Sequence, residues 1–352
     1  MPKTINILFI PVSSTSGIGE YTRSLIIANE LINQFPFLNI SFLLNKYAAC
    51  SKICPFETHL CDGSATKDNG AVKRTLKHIK PALVIFDCAG RADHFKLAKE
   101  LGAKVVFISQ HEKKRRRGLG LRRLLNTDIH WVAQSKIAIK PINLLTKLKL
   151  NFFGKQEPKL IGSVFKLINK VKRERLLEDY QLNKGGYIVF NAGSGGHKLG
   201  SDYASDIYFQ SAQQIAEKCK LKCIMVFGNN YPKELPLSNS VTCVRSMHNE
   251  QFMALMLVAK VVVISGGDTL LQAVELNLDC VVSAVSKDQP DRIKQCSEYE
   301  KLVRAIPSVE DLTCKTIAML EKQDTRNENL FEETQSKGLK IAIDDIKLLL
   351  RL

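Results

Sequence analysis

Val261-Val262-Val263-Ile264-Ser265-Gly266-Gly267-Asp268-Thr269-Leu270-Leu271-Gln272-Ala273 is the stretch on which the fold turns. Its opening run of β-branched residues predicts a strand buried on both faces, as in a parallel sheet. Gly266 and Gly267 supply a turn, and Thr269 opens a helix to about Leu276. A strand, a small-residue loop and a helix make half of a β/α unit, and the helix start offers N–H groups and a dipole to an anion.

Outward from this stretch the same grammar repeats. In the second half, strands are predicted at Tyr187–Asn191, Cys223–Phe227, Val241–Val244 and Cys280–Ala284. Helices are predicted at about Ser201–Cys219, Gln251–Val258 and Asp291–Glu300, and the loop Ala192–His197 again carries glycines. In the first half, the strand Ile5–Ile10 leads through the loop Val12–Gly19 into a helix over Glu20–Asn33. Further strands fall at Ile40–Leu44, Ala82–Asp87, Lys104–Ser109 and Ile129–Val132, with helices at about Ala71–Lys80 and Asp93–Leu101. Alternating short apolar runs and helices predict an α/β fold with parallel sheets.

At 352 residues the chain exceeds one ordinary core. We read two Rossmann-like domains facing across a cleft: 1–165, then 184–335, joined by a charged linker over about Gly162–Gly185. A last amphipathic helix, 336–352, is free to cross back to the first domain. Such a pair would place a ligand at the carboxyl ends of the strands. No apolar run reaches the roughly 18–20 residues of a membrane span, and no signal peptide is evident, so a cytoplasmic location is expected. The ten cysteines are scattered without a Cys-x-x-Cys, and Cys50, Cys54 and Cys61 with His59 match no zinc spacing. They read as reduced thiols, and no metal site is expected.

The net charge of +16 is concentrated. Between His111 and Arg175 stand 18 Lys and Arg against Glu112, Asp128, Glu157 and Glu174, a local charge of +14. Leucines and phenylalanines interleave with these cations, for example Leu144, Leu145, Leu148 and Phe152 around Lys147 and Lys149. Apolar residues among lysines with few acids favour an anionic membrane surface. Nucleic acid is disfavoured, because aromatic platforms are few and no helix-turn-helix, zinc-finger or RNP signature is present.

The first loop lacks the Lys-Ser/Thr ending of a P-loop, and no Gly-x-Gly-x-x-Gly with a distal acid points to a nicotinamide cofactor. Glycine loops in both halves suggest one nucleotide-bearing ligand.

Here a family resemblance enters. Ser265–Ala273, a strand, and then Asp288-Gln289-Pro290 resemble the nucleotide-sugar signature of GT-B glycosyltransferases, and among them the MurG-like, family 28 type group. Gly17-Ile18-Gly19-Glu20 resembles the first glycine loop of those enzymes, Gly193–His197 their donor-domain loop, and His111-Glu112 an acceptor-side pair. The resemblance implies that Ser194, Gly195, Gly196 and His197 contact the donor diphosphate. It implies that Gly266, Gly267 and Thr269 approach the ribose and diphosphate and that Gln289 hydrogen-bonds the donor sugar hydroxyls, with Asp268 and Asp288 among the donor-binding residues of the same loops. Gln272 stands where the family has a ribose-gripping Glu, and Glu20 where it has a His after the glycines. His248, with Asn249 and Glu250, resembles a nucleobase-contacting segment.

The implied activity is transfer of a sugar, most readily from a UDP-sugar, to a lipid-linked or oligosaccharide acceptor of the cell envelope. It would run without a metal or other cofactor, at the inner membrane face. Charge building on the departing diphosphate would be met by oriented N–H groups. A base for the acceptor hydroxyl would come from Glu20, Asp87, Asp93, His111 or Glu112. A nucleotide-sugar hydrolase or 2-epimerase of the same fold is the alternative, and a basic nucleic-acid-binding protein the second.

Overall fold

A computed structural model describes residues 5–13, 19–134, 139–322 and 335–352. The chain forms two compact units, Met1–Val164 with Lys337–Leu352, and Phe165–Ser336.

In the first unit the elements run β1 (Ile5–Pro11), α1 (Gly19–Gln34), β2 (Leu38–Asn45), α2 (Cys50–Ile53), β3 (Glu57–Cys61), α3 (Asn69–Ile79), β4 (Leu83–Asp87), α4 (Ala92–Glu100), β5 (Lys104–Ser109), α5 (Glu112–Gly118), α6 (Leu121–Leu124), β6 (Ile129–Val132), α7 (Leu144–Phe152) and β7 (Lys159–Leu160). The second unit holds α8 (Lys170–Asp179), β8 (Tyr187–Asn191), β9 (Lys198–Leu199), β10 (Asp202–Tyr203), α9 (Ala204–Cys219), β11 (Lys222–Val226), β12 (Val241–Val244), α10 (Asn249–Val258), β13 (Val261–Ser265), α11 (Asp268–Glu275), β14 (Cys280–Ser283), α12 (Gln289–Gln295), β15 (Leu302–Ala305) and α13 (Val309–Glu321). Helix α14 (Lys337–Leu350) returns to the first unit.

The first sheet has seven strands in the order β3-β2-β1-β4-β5-β6-β7, and the second six in the order β12-β11-β8-β13-β14-β15. Every pair within both is parallel. In each sheet the winding direction reverses once, between β1 and β4 and between β8 and β13. Those are the points where strand-end loops diverge and leave a crevice.

Both faces of the first sheet are covered, so alternate residues of β1 enter different cores. Ile7 and Phe9 pack with Ile27 and Leu31 of α1 and Ile343 and Ile346 of α14, whereas Leu8 and Ile10 pack with Val72 of α3 and Phe95 of α4. Helix α14 is also tied by polar bonds: Trp131 Nε1 donates to Asp345 Oδ2 at 2.8 Å, and Lys159 Nζ meets Asp345 Oδ1 at 2.7 Å. A side chain at Gly338 would lie 2.4 Å from the Ser163 carbonyl, so glycine lets the helix start against that strand exit.

Three sequence expectations change. The stretch read as linker contains α8, and the helix expected from Ser201 begins at Ala204, after the short β9–β10 hairpin. The basic segment 111–175, read as one stretch of the first domain, is divided among the short α5, α6 and α7, strands β6 and β7, and the start of α8 in the second unit. All ten cysteines are free, and Cys61 Sγ bonds the Leu44 carbonyl at 3.4 Å. Among the described residues no helix is long and apolar enough to cross a membrane.

Candidate functional site

In the second unit three loops leave the carboxyl ends of neighbouring strands β8, β13 and β14. The loop after β8 is held from within: Asn191 Oδ1 accepts from Gly193 N at 3.0 Å, and Asn191 Nδ2 donates to the Val226 carbonyl at 2.8 Å. Gly195 has φ +91°, and a Cβ there would lie 2.5 Å from the Phe227 carbonyl oxygen. Gly228, just after β11, has φ +96°, and its Cβ would lie 2.3 Å from the Ser194 carbonyl carbon. The two turns therefore interlock backbone to backbone, which fixes Ser194 between them; Asn230 N completes the clasp by donating to the Ser194 carbonyl at 2.8 Å.

The turn after β13 is equally close to its neighbour. Gly266 N donates to the Ser283 carbonyl at 3.0 Å, and a Cβ on Gly266 would lie 2.7 Å from Ile293 and 3.1 Å from Gln289 Cβ. Gly267 differs: its nearest neighbour to a built Cβ is Ser265 Oγ, at 3.8 Å. This glycine is not demanded by the protein's own packing. It caps α11, whose first residues Asp268 and Thr269 are half-buried.

The loops reach one another. A Cβ on Gly193 would approach Ser265 Oγ at 3.1 Å and the His197 ring at 3.7 Å. Burial lowers the pKa of His197 against an opposing pull from the Asp288 carboxylate, so the imidazole is neutral at pH 7. Partial burial pushes the Asp288 carboxyl up, but the hydrogen bond from Ser286 Oγ, 2.7 Å, and the charge of Arg292 outweigh it and leave it below the ordinary aspartate value. The structure thus gathers Ser194, Gly195, Gly196, His197, Gly266, Gly267, Asp268, Thr269, Asp288 and Gln289 on adjacent strand ends.

Gln289 does not present itself as expected. It is 4% exposed, and its Oε1 accepts from Val285 N at 2.8 Å, so its oxygen closes the turn after β14. Gln272 is buried within α11. His248 is exposed at the carboxyl end of β12, with β11 between that strand and β8. Sequence reasoning missed Arg292, whose Nη1 donates to the Gly266 carbonyl at 2.8 Å and whose Nη2 lies 3.7 Å from Asp288 Oδ2. Its signal was its place one helical turn after Asp288.

In the first unit the corresponding reversal lies between β1 and β4. Gly17 falls in 14–18, outside the described residues; Gly19 and the half-buried Glu20 open α1. Asp87, at the end of β4, is corrected from candidate base to structural anchor. It is fully buried, and Arg23 grips both its oxygens, Nε to Oδ2 at 2.8 Å and Nη2 to Oδ1 at 2.7 Å. A carboxylate paired in this way and closed off from solvent is not open to an acceptor hydroxyl.

The next residue, Cys88, has φ +55° without being glycine or closing a helix. Its carbonyl accepts from Lys114 Nζ at 2.6 Å, and the Gly90 carbonyl accepts from Arg123 Nη2 at 2.6 Å. Burial pushes the Cys88 thiol far up, with the Asp87 and Glu20 charges pushing the same way. His111 and Glu112 are exposed where β5 meets α5, and Asp93 is exposed on α4. Glu20, His111 and Glu112 thus follow strands β1 and β5, which flank β4. Among the described residues no group of three or more His, Cys, Asp or Glu is placed to hold a metal.

No family model matches the sequence, and no curated protein matches it. Solved structures do match in fold. CalG4, the calicheamicin glycosyltransferase, superposes with a TM-score of 0.61 at 12% identity, over 99% of both chains. The spinosyn rhamnosyltransferase SpnG gives 0.61 at 9% identity, over 98% of this chain and 96% of that one. UDP-GlcNAc 2-epimerase from Neisseria meningitidis, solved with UDP-GlcNAc, gives 0.59 at 10% identity, over 97% of this chain and 99% of that one. The protein has the GT-B fold, two parallel-sheet α/β domains.

Proposed function

We propose that the protein is a glycosyltransferase that binds a nucleotide sugar, most readily a UDP-sugar, on the β8, β13 and β14 loops of its second domain. The observation that carries this reading is the open face of Gly267. Gly195, Gly228 and Gly266 are glycines because protein atoms occupy the space, whereas Gly267 leaves space beside a helix start that suits a diphosphate. The N–H groups of Asp268 and Thr269 would meet the charge that builds on the departing diphosphate, with Ser194 and Gly195 opposite. His197, neutral at pH 7, would hydrogen-bond a phosphate oxygen. The solved GT-B proteins that bind UDP or a UDP-sugar support this donor class.

The acceptor would meet the first domain, with Glu20, His111 or Glu112 as the base; Asp87 is no longer a candidate. Sugar transfer would proceed without a metal, in line with the MurG-like resemblance. The acceptor would be lipid-linked or an envelope oligosaccharide at a membrane face. In support, α7 exposes Leu144, Leu145, Leu148 and Phe152, the last 83% exposed, while Leu150 anchors its other side on Leu119 and Leu124. Apolar side chains standing out among Lys140, Lys147 and Arg122 suit an anionic bilayer surface.

A 2-epimerase fits the same fold, as the Neisseria enzyme does. One experiment separates the readings: incubate the protein with UDP-, GDP-, ADP-, CMP- and dTDP-sugars, with and without envelope lipid extract. Transfer predicts nucleotide release that needs the extract and an EDTA-resistant glycosylated lipid. Epimerisation predicts a changed sugar without extract, and no response to any nucleotide sugar overturns both.

A further inference from the structure

Two arginines of the first unit are more than nine-tenths buried, and they are treated differently. Arg23, 6% exposed, is answered by the bidentate Asp87 carboxylate. Arg115, 8% exposed, lies on α5 beside β5 and β6, and its side chain has neither an ion-pair partner nor a hydrogen-bond acceptor among the described residues. Removing a guanidinium from water without a counter-charge costs several kcal/mol. The neighbours offer no relief. Burial, with the Arg115 charge in second place, lowers the His130 pKa to about 3, so that imidazole is neutral, and its Nε2 is engaged with Ser109 Oγ at 2.9 Å. Lys113, Lys114, Arg116 and Arg117 crowd the same helix, with Glu112, its one acid, exposed at the first turn. No guanidinium nitrogen of Arg115 is among the enclosed orphan atoms, so the group still reaches the surface.

A buried, unanswered cation in cationic surroundings is arranged for an anion supplied from outside, and for one carrying more than a single charge. A planar guanidinium matches phosphate oxygens in pairs. We propose that Arg115 is a binding residue for a phosphate or diphosphate group of the acceptor, one strand over from the Arg23–Asp87 pair. Assigning that phosphate to the acceptor rests on the transferase reading; the anion site itself does not.

The test uses full-length protein carrying Gly267→Val, which fills the open donor position, and titrates it with inorganic pyrophosphate by calorimetry. Arg115→Met in that background is expected to lose at least about tenfold in affinity, the scale of one charge-assisted contact. Without ligand, Arg115→Met is expected to melt at the same or a higher temperature, because a buried unpaired charge has been replaced by an apolar chain of similar length. Arg115→Lys is expected to keep part of the binding. Vesicles of phosphatidylglycerol distinguish the source. A vesicle affinity that falls together with that for pyrophosphate places a lipid headgroup at Arg115, and one that stays unchanged places a diphosphate-bearing substrate there. Equal pyrophosphate binding with and without Arg115, or a melting temperature that drops in Arg115→Met, would overturn the proposal. If wild type binds no nucleotide sugar yet the pyrophosphate site depends on Arg115, the donor reading fails and this site stands.

Discussion

The two sheets reverse direction in the same manner, but the two reversals are furnished in opposite ways. Between β8 and β13 the lining is backbone: Gly193, Ser194 and Gly195 interlock with the Gly228 turn, Gly266 packs on Ile293 and Gln289, and Gly267 keeps an open side. Between β1 and β4 the lining is charge: Asp87 is clamped by Arg23, and Lys114 and Arg123 hold the carbonyls of Cys88 and Gly90. One winding pattern is therefore furnished with two kinds of lining. Fixed N–H groups suit a ligand that always arrives in one pose. Long cationic side chains suit partners of varied shape, at the expense of needing internal counter-charges such as Asp87.

The largest effect should come from breaking that counter-charge. Asp87→Ala strands the buried Arg23 and is expected to lower stability by about 3–5 kcal/mol, whereas the double change Arg23→Leu with Asp87→Leu recovers most of it. Chemical denaturation reads both; a mild Asp87→Ala would mean that the pair contributes little. On the other side of the comparison, Gly228→Ala forces a Cβ into the Ser194 backbone at a positive φ. It should cost about 2–4 kcal/mol and abolish nucleotide binding with it. Normal binding in that variant would show that the interlocked turns are not the site.

Acid should then weigh most on the first unit, although burial also lowers the pKa of His197 in the second. Burial holds His94 down to about 4 and His130 down to about 3, both below the ordinary value of 6.5. The unfolded chain therefore takes up protons first as pH falls below 6.5, so the stability present above that pH is lost progressively toward pH 4 and below. His130→Gln should flatten this slope in pH-dependent denaturation; an unchanged slope would place its origin elsewhere. Phe152→Ser with Leu148→Ser should be the mildest change, with no loss of stability because both side chains are exposed, and a weaker affinity for anionic vesicles. Unaltered vesicle binding would remove α7 from the membrane reading.

Much of this was legible in the sequence. The central strands announce themselves because a parallel strand buried on both faces is a continuous apolar run, as in Val261–Ile264 and Leu83–Phe86. The edge strands β3 and β15 do not, since each has a single neighbour and residues such as Glu57, Leu60 and Arg304 face solvent. Helix α13 was missed although Ser308 caps it, its Oγ accepting from Asp311 N at 3.2 Å. The glycine loops were legible as loops. Which glycine is packed and which is open was not, because that depends on Ile293, Phe227 and Ser194 arriving from distant positions. Asp87 was misread for the same reason: an acid ending a strand looks like a site until Arg23, 64 residues away, is seen to hold it.

The most direct test of the central claim is calorimetric titration of a UDP-sugar, and of UDP, into the wild-type protein and Gly267→Val. Saturable binding to wild type and at least about a hundredfold loss in the variant are expected, with no more than a small fall in melting temperature, because the nearest atom to an added Cβ is Ser265 Oγ at 3.8 Å and valine is a poorer helix cap than glycine. Equal affinity in both proteins, or no nucleotide binding by the wild type, would contradict it.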